Sequence, residues 1–305
     1  MDELWAKPFL KWAGGKGQLI SQIESYLPER LKEGKIKKYA EPFLGGGAVF
    51  FYLVSRYKFK QVILNDINEE CVLTYNVVKD NVDDLIKVLY DMEMKYKSLC
   101  DEDRQAMFYE AREAFNDERV KINYNIYSPD WVKHAANMIF LNRTCFNGLY
   151  RKNKKGQFNV PFGKYKNPTI CDINNLRAVS SALKNAVITC GDFENISKFI
   201  DKDTFVYMDP PYRPLNETSS FTDYSSVPFD DESQIRLSQW YKLLDKKGAA
   251  LLLSESDPTN TNPEDKFFDE LYKDYSIYRV NAVRAINSKV SGRGAIRELL
   301  IANHK

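Results

Sequence analysis

The chain has 305 residues, a formal net charge of +2 at pH 7 and a hydrophobic content of 44%. These values allow one large α/β domain with an inserted unit, and the lack of an apolar run of about 18 residues excludes a membrane-spanning helix. Five cysteines without a CxxC pair, only two histidines and a charged N-terminus predict a cytoplasmic protein without disulfides, a metal site or a histidine-based triad.

Apolar periodicity predicts strands that alternate with helices along most of the chain. A first strand is predicted at 37–43, a glycine turn and a helix follow at 44–57, and a second strand ends at Asp66. Helical periodicity covers 68–116, and another helix begins at Pro129. The later strands are predicted at 186–189, 204–208, 249–253, 276–280 and 298–302, with helices near 174–184, 231–244 and 264–272. This alternation favours a mostly parallel sheet that binds ligands at the carboxyl ends of its strands, with an insertion at about 70–170.

The second part of this insertion is strongly basic. Residues 131–171 contain eight lysines and arginines and no acidic residue, and aromatic side chains alternate with the charges. Such a mixture suits a surface that follows phosphates and stacks on bases, although a solvated basic loop has the same composition. The aromatic residues interleaved with these charges include Phe146, Tyr150, Phe158, Phe162 and Tyr165.

The turn Asp209-Pro210-Pro211-Tyr212 directly follows the apolar strand predicted at 204–208. Its two prolines fix the backbone and remove two N–H donors, so that carbonyl oxygens remain available. The Asp209 carboxylate and the Pro210 carbonyl can each accept one N–H of an exocyclic amine, while the Tyr212 ring stacks on a flat heterocycle. A purely structural Pro-Pro turn is the alternative for this tetrapeptide alone.

Adenine needs such a clamp because the lone pair of its amino nitrogen is delocalised into the ring. Two acceptors that hold both hydrogens localise and aim that lone pair, a positioning effect that can lower a barrier by several kcal/mol. A carboxylate also stabilises the positive charge that develops on the nitrogen as it takes a methyl group from a sulfonium donor. The turn therefore predicts amino-group methylation.

A second motif, Gly45-Gly46-Gly47, follows the first strand and allows a ligand to approach the backbone at the start of a helix. Asp66 ends the next strand, where a carboxylate can accept both hydroxyls of a ribose. The glycine spacing does not fit G-x-G-x-x-G, which counts against a dinucleotide site. The joint occurrence of the glycine turn, Asp66 and the Asp209 turn is far more specific than a glycine turn alone, and a dinucleotide site stays an alternative.

Four segments, in this order, resemble Dam-type DNA adenine methyltransferases of the DPPY class. They are FLKWAGGK at 9–16, EPFLGGG at 41–47, the stretch NRTCFNGLYR and GQFNVPFGKY within 142–165, and DPPY at 209–212. The resemblance implies S-adenosyl-L-methionine as cofactor and double-stranded DNA as partner. It also implies a Rossmann-like, seven-stranded, mostly parallel methyltransferase sheet with a helical and basic DNA-recognition insertion.

The family pattern assigns roles to matching residues. The catalytic positions are Asp209, Pro210 and Tyr212. Cofactor contacts are implied for Trp12, Lys16, Phe43, Gly45, Asp66, Asp192, Phe193 and Asp209. DNA contacts are implied for Lys11, Phe146, Asn147, Leu149, Arg151, Pro161 and Tyr165, with Arg151 as guanine reader and Phe146 and Asn147 in the stack opened by base flipping.

The resulting hypothesis is an adenine-specific DNA methyltransferase with a catalytic domain at 1–68 and 172–305 and an inserted target-recognition domain at 69–171. The likeness of 147–165 to one family branch predicts GATC as the target. The segment 213–228 is interpreted as a loop over DNA, and 288–294 as a hairpin connection. Methylation of RNA or of a protein amide and a catalytically silent DNA-binding protein are the alternatives. The oligomeric state and a role in restriction–modification, a phage or housekeeping stay open.

Overall fold

A computed structural model describes residues 5–213, 229–283 and 295–304. Apart from Arg213, the predicted loop at 213–228 lies outside the described residues, and so does the predicted connection at 288–294. The described residues form a mixed α/β fold around one sheet. Its strands are β1 (Lys38–Glu41), β2 (Gln61–Asp66), β3 (Ala186–Cys190), β4 (Thr204–Met208), β5 (Ala250–Ser256), β6 (Ser276–Val283) and β7 (Ala295–Ala302).

The strand order across the sheet is β3-β2-β1-β4-β5-β7-β6. Strands β1 to β5 pair in parallel, whereas β7 runs antiparallel to both β5 and β6. The predicted Rossmann-like, seven-stranded, mostly parallel methyltransferase sheet is therefore confirmed. Because the order reverses between β1 and β4, a crevice opens beyond the carboxyl ends of these two strands, where open α/β sheets bind their ligands.

The helices cover both faces of the sheet. They are α1 (Ile20–Ser25), α2 (Glu29–Lys32), α3 (Ala48–Val54), α4 (Glu69–Asp80), α5 (Val82–Ser98), α6 (Asp101–Glu118), α7 (Asp130–Thr144), α8 (Ile173–Leu183), α9 (Asp231–Lys246) and α10 (Phe267–Leu271). Short 3₁₀ helices lie at Lys16–Gln18, Phe146–Gly148, Phe193–Phe199 and Pro258–Asn260.

Alternating strand residues enter two separate cores, as the two-residue period of a strand requires. On β4, Phe205 and Tyr207 pack in the core that also contains α3 to α8, whereas Val206 and Met208 face α9 and α10. Helix α4 packs on β2, β3 and α8, and α7 packs on α4, α5 and α6. The inserted helices are thus continuous with one face of the sheet, and the domain boundary at 68/69 stays a prediction.

The basic segment after α7 has a small core of its own. Tyr150 and Phe158 are buried, so the interpretation of these two rings as base-stacking groups is wrong for the fold described. Two isolated bridges, Cys145 with Phe162 and Lys152 with Phe158, hold the segment together. Part of the positive charge of this segment is paired within the protein, because the Lys152 ammonium lies 2.6 Å from the buried Glu70 carboxylate.

Candidate active site and DNA interface

The predicted catalytic turn lies at the carboxyl end of the central strand β4. The side chain of Asp209 is only 20% exposed, and its Oδ1 lies 2.7 Å from Nζ of the buried Lys16. Pro210 is buried, and no residue in the described part of the chain donates a hydrogen bond to its carbonyl. The turn therefore places the Asp209 carboxylate, paired with Lys16, at the carboxyl end of β4, and its binding role stays a prediction.

Lys16 belongs to the N-terminal segment and reaches across to this turn. Its ammonium donates to the Tyr212 hydroxyl at 2.5 Å and to the Gly14 carbonyl at 3.1 Å. The same Nζ lies 4.5 Å from the centroid of the Tyr212 ring, within the range of a cation–π contact. Lys16 thus contacts both polar side chains of the turn, which the sequence assigned to different tasks.

Glu298 completes the group and was missed at the sequence level. It is a β7 residue whose Oε2 accepts a hydrogen bond from the Tyr212 hydroxyl at 2.7 Å and lies 3.9 Å from Lys16 Nζ. The available signal was an acidic residue that interrupts an apolar strand pattern, since Leu299, Leu300 and Ile301 follow it. Glu298 is buried, and buried acids are unusual unless they are paired.

Burial and neighbouring charges change the ionisation of these groups. Burial raises the pKa of Asp209 to about 6, while Lys16 lowers it and Glu298 raises it further. Burial and the nearby carboxylates Asp209 and Glu298 keep the pKa of Tyr212 well above its ordinary value. At neutral pH Asp209 is therefore an ionised acceptor, and Tyr212 keeps its proton and donates it.

A further buried acid, Glu41, lies at the end of β1 beside this group. Burial raises its pKa to about 8, although a hydrogen bond from Tyr39, 2.6 Å from Oε2, acts in the opposite direction. Glu41 therefore carries a proton at neutral pH and adds no charge to the crevice. The sequence shows Glu41 only as part of a glycine-turn motif, without indicating its protonation.

The predicted cofactor residues meet where β1 and β2 end. Asp66 accepts hydrogen bonds from the backbone N–H groups of Gly45 at 2.8 Å and Asn68 at 2.9 Å, and burial raises its pKa. Gly45 has a φ of +46°, and a Cβ added there would lie 2.7 Å from Cδ1 of Trp12. The indole thus covers a bare stretch of backbone beside a carboxylate.

These residues fit S-adenosyl-L-methionine. An aromatic cover, a glycine backbone and a carboxylate at the neighbouring strand end suit a nucleoside, because a carboxylate can accept ribose hydroxyls. The Asp209 carboxylate, at the end of the next strand across the switch point, provides negative charge for a cationic donor.

Asp192 and Phe193 lie after β3, next to Phe43. The rings of Phe43 and Phe193 are 5.5 Å apart, and Phe193 is buried. Asp192 accepts from Arg236 at 2.6 Å, and the same guanidinium lies 4.5 Å above the Phe193 ring. The structure thus groups the three predicted residues on the face of the sheet that α9 and α10 cover. It also adds Arg236, which the sequence did not indicate because this residue comes from the distant helix α9.

Five of the predicted DNA-contacting residues lie together. The Phe146 ring is 52% exposed, and its backbone N–H donates to the Pro161 carbonyl at 2.9 Å. The Asn147 backbone N–H donates to the Tyr165 hydroxyl at 3.1 Å, and Lys11 Nζ lies 5.2 Å from the Tyr165 ring. Asn147 has a φ of +55°, a conformation that asparagine tolerates better than most residues.

The two remaining predicted DNA residues differ in exposure. Arg151 is exposed and donates to the Asn159 side chain at 2.9 Å, so most of its guanidinium is available. Leu149 is half-buried and packs against the core.

Within the described part of the chain there is no group of three or more His, Cys, Asp or Glu that could hold a metal ion. None of the helices in the described ranges is long and apolar enough to cross a membrane.

Comparisons with known proteins point in one direction. The family model "D12 class N6 adenine-specific DNA methyltransferase" matches residues 12–286. Identity is 53% over 299 residues to the Type II methyltransferase M.MjaIII of Methanocaldococcus jannaschii, covering 98% of this chain and 99% of that protein. It is 38% over 300 residues to the Type II methyltransferase M1.LlaDCHI of Lactococcus lactis, covering 98% and 95%. It is 32% over 294 residues to the DNA adenine methylase of Escherichia coli K12, covering 96% and 94%.

Proposed function

The chain belongs to the D12 class of N6 adenine-specific DNA methyltransferases, and we propose that it methylates the adenine of GATC in double-stranded DNA after flipping that base out of the helix. The resemblance stated from the sequence is confirmed, and the enzyme uses S-adenosyl-L-methionine, as its family does. Because the family acts on DNA, the alternative of an RNA or protein-amide substrate is dropped, and the labelling assay below tests the alternative of a silent homologue.

The observation that carries the proposal is the Asp209 turn beside Lys16 and Tyr212. Asp209 is four-fifths buried at the carboxyl end of β4, and the Pro210 carbonyl is free of partners within the described residues. A base stacked in a duplex cannot reach such a recessed carboxylate, so the target adenine has to leave the stack. Extrusion costs a few kcal/mol of stacking and pairing, which contacts to the flipped base offset.

The residues of the turn perform three tasks. Asp209 and the Pro210 carbonyl each accept one N–H of the adenine amino group, and this localises the nitrogen lone pair. The Tyr212 ring stacks on the base and fixes the direction of the attack. The Asp209 carboxylate, ionised above about pH 6, stabilises the positive charge that grows on the nitrogen. Bound S-adenosyl-L-methionine supplies an electrophilic methyl group.

The residues proposed to hold this cofactor are Trp12, Lys16, Phe43, Gly45, Asp66, Asp192, Phe193 and Asp209. Asp66 accepts the ribose hydroxyls, and Trp12 covers the Gly45 backbone. Asp192 already has one oxygen on Arg236, so we assign to Arg236 the task of orienting Asp192.

The residues proposed to contact DNA surround the exposed Phe146. Phe146 and Asn147 enter the space that the flipped base leaves, while Leu149, Pro161, Tyr165 and Lys11 face neighbouring bases. Arg151 reads guanine, because its fork can bind O6 and N7 together. The proposed domain division, 69–171 for recognition and 1–68 with 172–305 for catalysis, assigns these residues, apart from Lys11, to one insertion.

Transfer of a labelled methyl group to matched duplexes tests this function. We expect labelling of a duplex with one GATC site and none of a duplex in which GTAC replaces it, with the label on adenine N6. Equal labelling of both duplexes would overturn the GATC assignment, and the absence of label from DNA would overturn the function.

The Asp209→Ala variant tests the site. We expect it to lose methyl transfer by at least about 100-fold while it still binds S-adenosyl-L-methionine, since removal of a group that stabilises transition-state charge has this order of effect. Asp203→Ala, at the opposite end of the same strand, is the matched control and should keep its activity. Turnover by Asp209→Ala at the wild-type rate would remove Asp209 from the mechanism.

A further inference from the structure

We propose that Glu298 is a positioning residue for adenine methylation, which holds the Tyr212 phenol and thereby the ring on which the target base stacks. This inference rests on the proposed role of the Asp209 turn. It adds a residue from the antiparallel strand β7 to a site otherwise built from the N-terminal segment and the parallel strands.

The register of the sheet brings Glu298 to the site. Strand β7 runs antiparallel to β5, and Glu298 pairs with Ser256, the last residue of β5. Glu298 therefore lies at the carboxyl edge of the parallel strands, where Asp209 follows β4. Its side chain is only 10% exposed, so the hydrogen bond with Tyr212 forms away from bulk water.

Two contacts of opposite kind, one acceptor and one donor, fix the Tyr212 hydroxyl. It donates to Glu298 Oε2 at 2.7 Å and accepts from Lys16 Nζ at 2.5 Å. Because one partner is an acceptor and the other is a donor, the phenolic hydrogen has one favourable direction. Hydrogen bonds to ionised groups are about twice as strong as neutral ones, so this pair restrains the ring well.

Glu298 also changes the electrostatics of Asp209. One ammonium, that of Lys16, lies between two carboxylates, 2.7 Å from Asp209 and 3.9 Å from Glu298. The negative charge of Glu298 raises the pKa of Asp209, as expected for two like charges in one buried site. Removal of that charge should therefore let Asp209 ionise at a lower pH.

These two effects can be separated by substitution. Glu298→Gln keeps an oxygen acceptor for the phenol but removes the charge, whereas Glu298→Met removes both at similar volume. We expect Glu298→Met to lower kcat by about 10- to 100-fold, the usual effect of a misplaced reacting group. Glu298→Gln should keep most of kcat, while the acid limb of its kcat/KM profile moves to lower pH.

A double-variant test shows whether Glu298 acts through Tyr212. In the Tyr212→Phe background the ring remains but has no hydroxyl, so Glu298→Met should cause no further loss of kcat beyond about twofold. Thermal unfolding of each variant controls for a loss of fold. A full further loss in this background, together with an unchanged acid limb in Glu298→Gln, would overturn the inference.

The wild-type assay keeps the two proposals distinct. Methyl transfer by the wild type and its loss in Asp209→Ala support the proposed function, whatever Glu298 does. If the Glu298 variants then match the wild type in kcat and pH profile, only the positioning role fails. If Asp209→Ala is fully active, the proposed site itself is wrong.

Discussion

Trp12 and Tyr150 stack on each other, with ring centroids 5.3 Å apart and an angle of 15° between the ring planes. Trp12 covers the glycine turn after β1, whereas Tyr150 lies in the basic segment between two predicted DNA contacts, Leu149 and Arg151. The proposed cofactor pocket and the proposed DNA-recognition segment therefore meet at this stacked pair.

This contact predicts that Tyr150→Ala weakens cofactor binding, although Tyr150 is not one of the residues proposed to contact the cofactor. A stacked aromatic pair contributes about 0.5–1.5 kcal/mol beyond its buried area, so we expect the Kd for S-adenosyl-L-methionine to rise by about 2- to 10-fold. Calorimetric titration measures it. Tyr150→Phe keeps the ring and should bind almost normally, and an unchanged Kd for Tyr150→Ala would contradict the prediction.

The Trp12 indole of this pair makes Gly45 intolerant of a side chain. A Cβ at Gly45 would lie 2.7 Å from Trp12 Cδ1, at a φ of +46°. We expect Gly45→Ala to weaken cofactor binding by about tenfold or more, because the added Cβ displaces the Trp12 indole from the proposed pocket. The left-handed backbone, at about 1–2 kcal/mol, instead lowers the free energy of unfolding.

Gly34→Ala provides the control for this effect. Gly34 has a φ of +67°, but an added Cβ would meet nothing within 4 Å. Gly34→Ala should therefore lower the free energy of unfolding by about 1–2 kcal/mol and leave cofactor binding unchanged. Equal binding losses in both variants would show that backbone strain, not the Trp12 contact, is responsible.

The fold follows closely from local sequence patterns. Strand β4 was predicted at its observed residues, 204–208, because a short apolar run between polar residues has few other interpretations. The catalytic turn follows for the same reason, since its prolines immediately end that strand. Even without a family resemblance, the position of Asp209 directly after β4 is a local property of the chain.

The rest of the site depends on contacts between distant residues. Glu298 reaches Tyr212 only because β7 inserts antiparallel beside β5, and no local pattern shows that register. Tyr150 illustrates the opposite error, because an aromatic residue among lysines favours a base-stacking surface although this ring packs inward on Trp12. Burial of single side chains in an irregular segment is decided by tertiary packing, which periodicity does not report.

The raised pKa of Asp209 predicts an acid limit of activity near pH 6. Only the carboxylate accepts the adenine N–H and stabilises positive charge, so we expect kcat/KM for DNA to decrease as the pH falls through about 6. Profiles of kcat/KM between pH 5 and 8, at saturating cofactor, measure this limit. A flat profile down to pH 5 would contradict the prediction.

Protonation of Asp209 does not destabilise the fold, so acid unfolding at this residue is not the cause of the expected loss of activity. Burial raises the pKa of the folded Asp209 from 3.8 to about 6, so between these values the folded state binds a proton that the unfolded state does not. The contribution of Asp209 to stability therefore increases as the pH falls through this window. Thermal unfolding in the same buffers should show a folded protein where activity is already lost.

Guanine recognition by Arg151 can be distinguished from a nonspecific contribution of its positive charge to DNA binding. Arg151 is exposed, and its guanidinium donates to the Asn159 side chain; Lys154, three residues further along, is also exposed. If Arg151 binds guanine through two hydrogen bonds, Arg151→Ala should reduce discrimination between GATC and a site with an altered guanine by about 1–3 kcal/mol. Lys154→Ala should weaken binding to both duplexes equally, with a smaller dependence on salt.

Competition assays with the two duplexes measure both effects. Because a phosphate contact carries no sequence information, an equal loss on both duplexes in Arg151→Ala would reassign Arg151 to the DNA backbone.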